Sequence, residues 1–217
     1  MLRWLIDLLF PPKCVLCKKL LCKTQTHFCH QCLSNCEEIE KSKRRLPFVA
    51  QWTGIWYYKE NVRGSIHRYK FANARHYAAA YAQKLALRLQ QEEMTDFDLL
   101  TWIPVSTERK RQRGYDQGEL LARALAQELG CQCVPVLQKI RHTPPQSGIR
   151  DAAKRRANIQ GAYRIPDRER IRGKRILLLD DVLTTGATAT ECAKVLMIGG
   201  AQDVTFAAIA VADNNSR

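Results

Sequence analysis

The chain has 217 residues, with 35 Lys and Arg against 21 Asp and Glu, a formal charge of +14 and a pI near 9.6. That length suits one principal domain with a small appendage, and the excess positive charge selects polyanionic partners: nucleic acid, phosphorylated metabolites or an anionic surface. No stretch approaches the roughly 18 consecutive apolar residues of a membrane-spanning helix, and the segment Met1 to Phe10 carries Arg3 and Asp7 with no small-residue cleavage site behind it, so the expectation is a cytoplasmic protein with no transmembrane segment.

Leu2, Trp4, Leu5, Ile6, Leu8, Leu9 and Phe10 form a short apolar helix closed by Pro11-Pro12 and expected to pack on its own domain. Cys14-x-x-Cys17 and Cys29-x-x-Cys32 follow, eleven residues apart. Two such knuckles at ribbon spacing can converge four thiolates tetrahedrally on one structural Zn²⁺. Cys22 and Cys36 are spare, and His27 and His30 lie beside the second knuckle, so one ligand could be exchanged without changing the metal. Disulfides are disfavoured in a reducing compartment. With little core of its own, the ribbon should need its metal to fold. Cys131, Cys133 and Cys192, in apolar surroundings, read as inert buried cysteines.

The basic run Lys41 to Arg45 divides an N-terminal helix and ribbon, 1–45, from the remaining domain, 46–217. Phe48 to Tyr58, β-branched and aromatic around Gly54, predicts an antiparallel β-hairpin that could form a hood over the core. Its Trp52, Trp56, Tyr57 and Tyr58 are read first as hairpin packing and second as stacking platforms for unpaired bases. Arg63, His67, Arg68, Lys70 and Arg75 surround Tyr69 and Phe71 and face an anion or solvent; Ala78 to Leu89 then runs as a helix to about Glu93.

Phe97 to Val105 is a buried strand, and Ser106 to Gly114 a basic loop opening onto a helix from Tyr115 to Leu129 that closes at Gly130. The polar, cationic connection Arg141 to Arg156 is expected to act as a lid, with Gln146, Arg155 and Asn158 as candidate lid or nucleic-acid contacts.

The organising stretch comes late. Arg175 to Leu179 is a short apolar run ending in Asp180-Asp181, then Val182-Leu183, then Thr184-Thr185-Gly186-Ala187-Thr188 and an Ala-rich helix to Ile198. Backbone N–H groups and hydroxyls at a helix N-terminus attract a phosphate, and Gly186 allows close approach. The two carboxylates would repel that anion, so their partners are hydroxyl groups or a hydrated divalent cation. Together the two halves suit a sugar phosphate with vicinal hydroxyls. The loop lacks the G-x-x-x-x-G-K-[ST] and G-x-G-x-x-G patterns of nucleoside triphosphate and dinucleotide sites. After Gly199-Gly200, Val204 to Val211 is a last buried strand, and the strand–helix alternation implies an α/β doubly wound parallel sheet with its site at the carboxyl edge.

From Asp180 to Thr188 the chain resembles the phosphoribosyl pyrophosphate (PRPP) motif of type I phosphoribosyltransferases. A narrower resemblance rests on Pro104-Val105, Arg111-x-Arg113-Gly114-Tyr115-Asp116-Gln117, Leu120-Leu121-Ala122, Thr143-Pro144-Pro145-Gln146-Ser147-Gly148 and Arg155-x-x-Asn158-x-x-Gly161-Ala162-Tyr163. With the four-cysteine ribbon, these are similar to the ComF family over nearly the whole chain. Ser106-Thr107 stands where that family often has Pro-Leu, and Asp116 replaces a common Asn.

The resemblance implies a zinc ribbon joined to a type I phosphoribosyltransferase-like domain that binds PRPP with Mg²⁺. Thr184, Thr185, Gly186, Ala187 and Thr188 would take the 5′-phosphate, Asp180 and Asp181 the ribose hydroxyls, and Arg111 and Arg113 the pyrophosphate. It also implies a role in competence, with single-stranded DNA and DNA-uptake or recombination proteins as partners. A non-catalytic single-stranded DNA-binding module and a PRPP-sensing regulator are alternatives that use the same cradle. Nothing in the chain resembles a glutamine amidohydrolase domain, so glutamine-dependent ammonia transfer is not expected.

Overall fold

A computed structural model describes residues 11–40, 44–141 and 157–213. The expected helix at Leu2 to Phe10, and Gln146 and Arg155 of the expected lid, lie outside the described residues.

In chain order the elements are α1 (His30–Asn35), β1 (Gln51–Tyr57), α2 (Glu60–Phe71), α3 (Tyr77–Gln91), β2 (Leu99–Trp102), α4 (Thr107–Arg113), α5 (Gln117–Leu129), β3 (Gln138–Lys139), β4 (Tyr163–Arg164), β5 (Arg175–Leu183), α6 (Ala187–Ile198) and β6 (Asp203–Val211). Four strands form a parallel sheet in the order β1-β6-β5-β2. Because helices cover both faces, the central strands are apolar throughout rather than alternating, and Ile176 to Leu179 are all fully buried. Their period of two still sorts the layers. Leu177 and Leu179 join α3 and α5 on one face; Ile176 and Leu178 join Cys192, Leu196 and Ile171 on the other. Leu100 of β2 pairs with Leu177 of β5 on one side and bridges in parallel to Cys133 on the other, so the chain leaves β2 in one direction and β5 continues in the opposite one, which places a crevice at their carboxyl ends.

Two expectations are corrected. Phe48 to Tyr58 is not a hairpin hood: it holds a single strand, β1, running parallel to β6 with Gln51 opposite Thr205 and Tyr57 opposite Val211. Gly54 makes no turn. A Cβ there would meet Val211 Cγ2 at 2.6 Å, so the glycine serves close packing inside the sheet. A small antiparallel pairing lies elsewhere, between β3 and β4. The basic loop Ser106 to Gly114 is likewise a helix, α4. Ser106 Oγ accepts from Arg109 N at 3.3 Å, and Gly114 closes it at φ 75°.

The ribbon shares the core of the sheet. Cys14, Val15, Leu16, Cys29 and Cys32 pack in one cluster with Trp56, Tyr69 and Leu177. Its exit segment also borders the sheet edge: Ile39 N donates to Ile55 O at 3.0 Å, and Tyr57 N to Glu37 O at 3.0 Å.

Candidate functional site

A cleft of about 1490 Å³ opens where β2 and β5 end. Ile103 to Val105 form one wall, Asp180 to Thr184 with Gly186 and Thr188 another, and α2, α4, Lys18 of the ribbon, Lys139, Ile159 and Tyr163 contribute to the others. β5 continues through both aspartates to Leu183, so they project from a fixed strand rather than from a loop.

The turn after β5 is held from behind. Gly186, at φ 80°, is the N-cap of α6, and its carbonyl accepts from Thr190 N at 2.8 Å. Arg44 Nη1 donates to Thr184 O at 2.8 Å, and Trp52 Nε1 fixes Arg44 by donating to its carbonyl at 2.8 Å. A Cβ on Gly186 would lie 2.6 Å from Leu46 Cδ2 and 3.0 Å from Arg44 Nη2, so the segment leaving the ribbon straps the turn in place. Thr184, Gly186 and Thr188 line the cleft. Thr185 instead accepts from Ala187 N at 3.4 Å, and Ala187 is buried. Beyond Ala187, the amides of the first turn lack intrahelical acceptors, a geometry that can take an anion.

The acidic pair is asymmetric. Asp181 is buried, with Oδ1 2.6 Å from Lys70 Nζ and Oδ2 accepting from Gln117 Nε2 at 3.0 Å. Asp180 is half-buried, lines the cleft and accepts from Asp181 N at 2.8 Å. Burial, and then the Asp181 carboxylate beside it, push the Asp180 carboxyl up to about 8.

Cations ring the cleft: Lys18 from the ribbon, Arg63, Arg68 and Lys70 from α2, Arg109 and Arg113 from α4, and Lys139 from β3. Arg113 Nη1 donates to Gln117 Oε1 at 2.8 Å, and its guanidinium lies 4.7 Å from the Phe71 ring centroid. Arg111 is exposed and absent from the lining, whereas Arg109, on the same helix, faces in. Burial, then Arg109, draw the Lys139 ammonium down to about 8, and it sits 5.4 Å from the Tyr163 ring centroid. Asn158 gives its carbonyl to Arg141 Nη2 at 3.1 Å, one residue before Ile159 on the cleft wall.

Lys18 and Lys139 are therefore cleft residues that the sequence did not single out; Lys70 and Arg109 stood in basic stretches, and Tyr163 in a quoted motif, without a specific role. Gln117 stood inside the quoted Arg-x-Arg-Gly-Tyr-Asp-Gln run without a role. Asp116, where Asn is common, is buried as the cap of α5: it accepts from Gly118 N at 2.9 Å, Glu119 N at 3.2 Å and Val105 N at 3.1 Å. Of the aromatics considered for stacking, Trp56 is fully buried edge-on to Phe28, Trp52 is half-buried behind the turn after β5, and Tyr58 reaches the cleft.

The second centre is the ribbon. One sulfur from each of Cys14, Cys17, Cys29 and Cys32 lies within 4.8 Å of all the others, and Cys17 Sγ and Cys29 Sγ are 3.7 Å apart. Four thiolates about 2.3 Å from a tetrahedral zinc ion stand roughly 3.8 Å apart, so this donor set fits that ion. Burial opposes ionisation of Cys14, but the backbone amides of Cys17, Cys29 and Leu16 outweigh it and draw the thiol down to about 7. The Cys29 amide donates to Cys14 Sγ at 3.4 Å. Neither His27 nor His30 is part of the cluster.

Residues 116–217 match the phosphoribosyl transferase domain model. The DNA utilization protein YhgH of Escherichia coli (strain K12) is 30% identical over 144 residues, 64% of this chain and 62% of its own. The match thus spans less than two thirds of that relative. Competence protein F of Haemophilus influenzae is 26% identical over 189 residues, 84% of this chain and 80% of its own. Among solved structures, the glutamine PRPP amidotransferase of B. subtilis aligns with 65% of this chain and 30% of its own at a TM-score of 0.46 and 20% identity.

Proposed function

The chain belongs to the ComF family, and on that premise we propose that its cleft binds PRPP together with Mg²⁺ and transfers phosphoribose to a nitrogenous acceptor. The observation that carries this reading is the convergence, at one strand end, of a phosphate cradle and a carboxylate pair that face the same cleft. In it, Thr184 to Thr188 anchor the 5′-phosphate and the acidic pair serves the ribose hydroxyls, Asp180 by contact and Asp181 from behind it. Arg109 and Arg113 stand on the opposite wall to offset the charge of departing pyrophosphate. The positive charge building on the ribose ring as that bond breaks is favoured by carboxylates held on a fixed strand. Mg²⁺, when bound, would neutralise pyrophosphate oxygens and so aid their departure. Cys14, Cys17, Cys29 and Cys32 hold a structural Zn²⁺ that supports α2 from beneath. Calorimetric titration with PRPP, with and without Mg²⁺, tests the site directly; absence of saturable binding would refute it.

A second reading, a role on single-stranded DNA in competence, is favoured by the ring of cations reaching from Lys18 to Lys139 and by the names of the relatives. Binding of this kind weakens by about 0.7 log units per log unit of salt for each phosphate neutralised, which a small-ligand site would not show. Measured affinity for a single-stranded oligonucleotide across salt concentrations separates the two readings.

A further inference from the structure

The acidic pair already has a cation. Lys70 Nζ sits 2.6 Å from Asp181 Oδ1, with the Lys70 and Asp181 side chains 21% and 6% exposed. The other oxygen of Asp181 is taken by Gln117, whose amide orientation is set by Arg113: Oε1 accepts from the guanidinium at 2.8 Å, leaving Nε2 to donate to Asp181 at 3.0 Å. Both supports are anchored. Tyr69 OH, one residue before Lys70, donates to the Gln117 carbonyl at 2.7 Å. Also on α2, Ser65 Oγ, about a turn before Tyr69, and Arg68 Nη2, just before it, donate to Val15 O at 2.7 and 2.8 Å. Lys70 is therefore delivered to Asp181 by a helix fixed at both ends of its last turns.

A buried carboxylate requires a paired, hydrogen-bonded partner, and two adjacent carboxylates without a counter-charge form a ligand pair for a hard divalent ion. Here one of the two charges is met by the chain itself. Both aspartates line the cleft, but each Asp181 oxygen is engaged by a side chain, Lys70 or Gln117, whereas Asp180 accepts from the Asp181 amide. We propose that Lys70 is the resident cation of this pair: it locks Asp181 as the inner, positioning carboxylate, leaves Asp180 to meet the ligand, and keeps free divalent ions off the pair. Mg²⁺ then enters the cleft only with the pyrophosphate of its substrate. The identity of that ligand rests on the function proposed above; the cation role rests on the Lys70–Asp181–Gln117 geometry alone.

The test is Mn²⁺ binding to the full, zinc-loaded chain without PRPP, followed by electron paramagnetic resonance. Wild type should show no saturable binding at about 1 mM Mn²⁺, Lys70→Gln should gain one site that Asp180→Asn in the same background removes, and Lys70→Arg should gain none. With PRPP, Lys70→Gln should bind about tenfold more weakly at low Mg²⁺ and recover as Mg²⁺ is raised, because the metal takes the vacated position. A purely structural lysine would show neither the new Mn²⁺ site nor the rescue. Saturable Mn²⁺ binding by wild type that Asp180→Asn abolishes would overturn the proposal, as would a folded Lys70→Gln variant, checked by circular dichroism, that gains no site. If Lys70→Gln does not fold, the wild-type and Lys70→Arg titrations decide. Because the Mn²⁺ titrations contain no PRPP, a failure of PRPP binding would not be mistaken for a failure of the cation assignment.

Discussion

Arg68 Nη2 donates to Val15 O at 2.8 Å and to Leu16 O at 2.7 Å, so a guanidinium from α2 clasps the two residues between the first pair of cysteines. The same helix carries Lys70 to the acidic pair, and the ribbon contributes Lys18 to the cleft wall. The four-cysteine cluster and the cleft are thus two sides of one packed unit.

Arg68→Ala should remove charge-assisted hydrogen bonds to two carbonyls and lower stability by about 1.5–3 kcal/mol. Thermal unfolding of the zinc-loaded protein measures this. A change within about 0.5 kcal/mol of wild type would show that the clasp contributes little.

Replacing Cys14 and Cys17 by Ser should release the bound metal and also weaken the main domain, because Cys14, Val15 and Leu16 belong to the core that holds Trp56 and Tyr69. Metal content and the unfolding transition, measured together, check it. Loss of metal with an unchanged transition would mean that ribbon and sheet are energetically independent.

The turn after β5 gives a sharper case. Gly186→Ala places a Cβ on a backbone at φ 80° and 2.6 Å from Leu46 Cδ2, and should reduce stability by about 1–3 kcal/mol while displacing the strap that positions Thr184. PRPP affinity should fall further than the stability loss alone explains, which calorimetry on the folded variant would reveal. An unaltered affinity would separate the turn from the ligand.

How much of this was legible in the chain depends on sequence distance. The strand, acidic pair, hydroxyl-rich turn and helix are contiguous, so local patterning located the strand–turn–helix at the cleft, and the cysteine spacing located the four-cysteine cluster. Gln117 and Asp181 are 64 positions apart and meet only through the packing of α5 on β5, as Lys70 does through α2. No local pattern encodes such a meeting. Gly54 was misread because glycine serves turns and close packing alike. α4 escaped notice because it buries no side chain and so lacks the apolar stripe that marks a helix.

Acidity offers a further check. The Asp180 carboxyl is raised above its ordinary value, to about 8, by burial and then by Asp181, so the folded state favours its protonated form. Stability from this group is present below the ordinary carboxylate range near 4 and is lost as pH rises through the folded value. Ligand binding to the ionised carboxylate has the opposite sign: it should tighten from about pH 6 to 8 by at most roughly tenfold per pH unit, with proton release. Titrations in buffers of different ionisation enthalpy measure that proton. Affinity that falls over the same range would contradict the assignment of Asp180 to the ligand.

The most direct measurement is calorimetry of the zinc-loaded chain with PRPP, with and without Mg²⁺, for wild type and for the Asp180→Asn, Asp181→Asn double variant. Saturable, Mg²⁺-dependent binding to one site in wild type, lost in a double variant that stays folded and keeps its zinc, is the expected result. No binding by wild type under any condition, or equal binding by both proteins, would contradict the PRPP assignment.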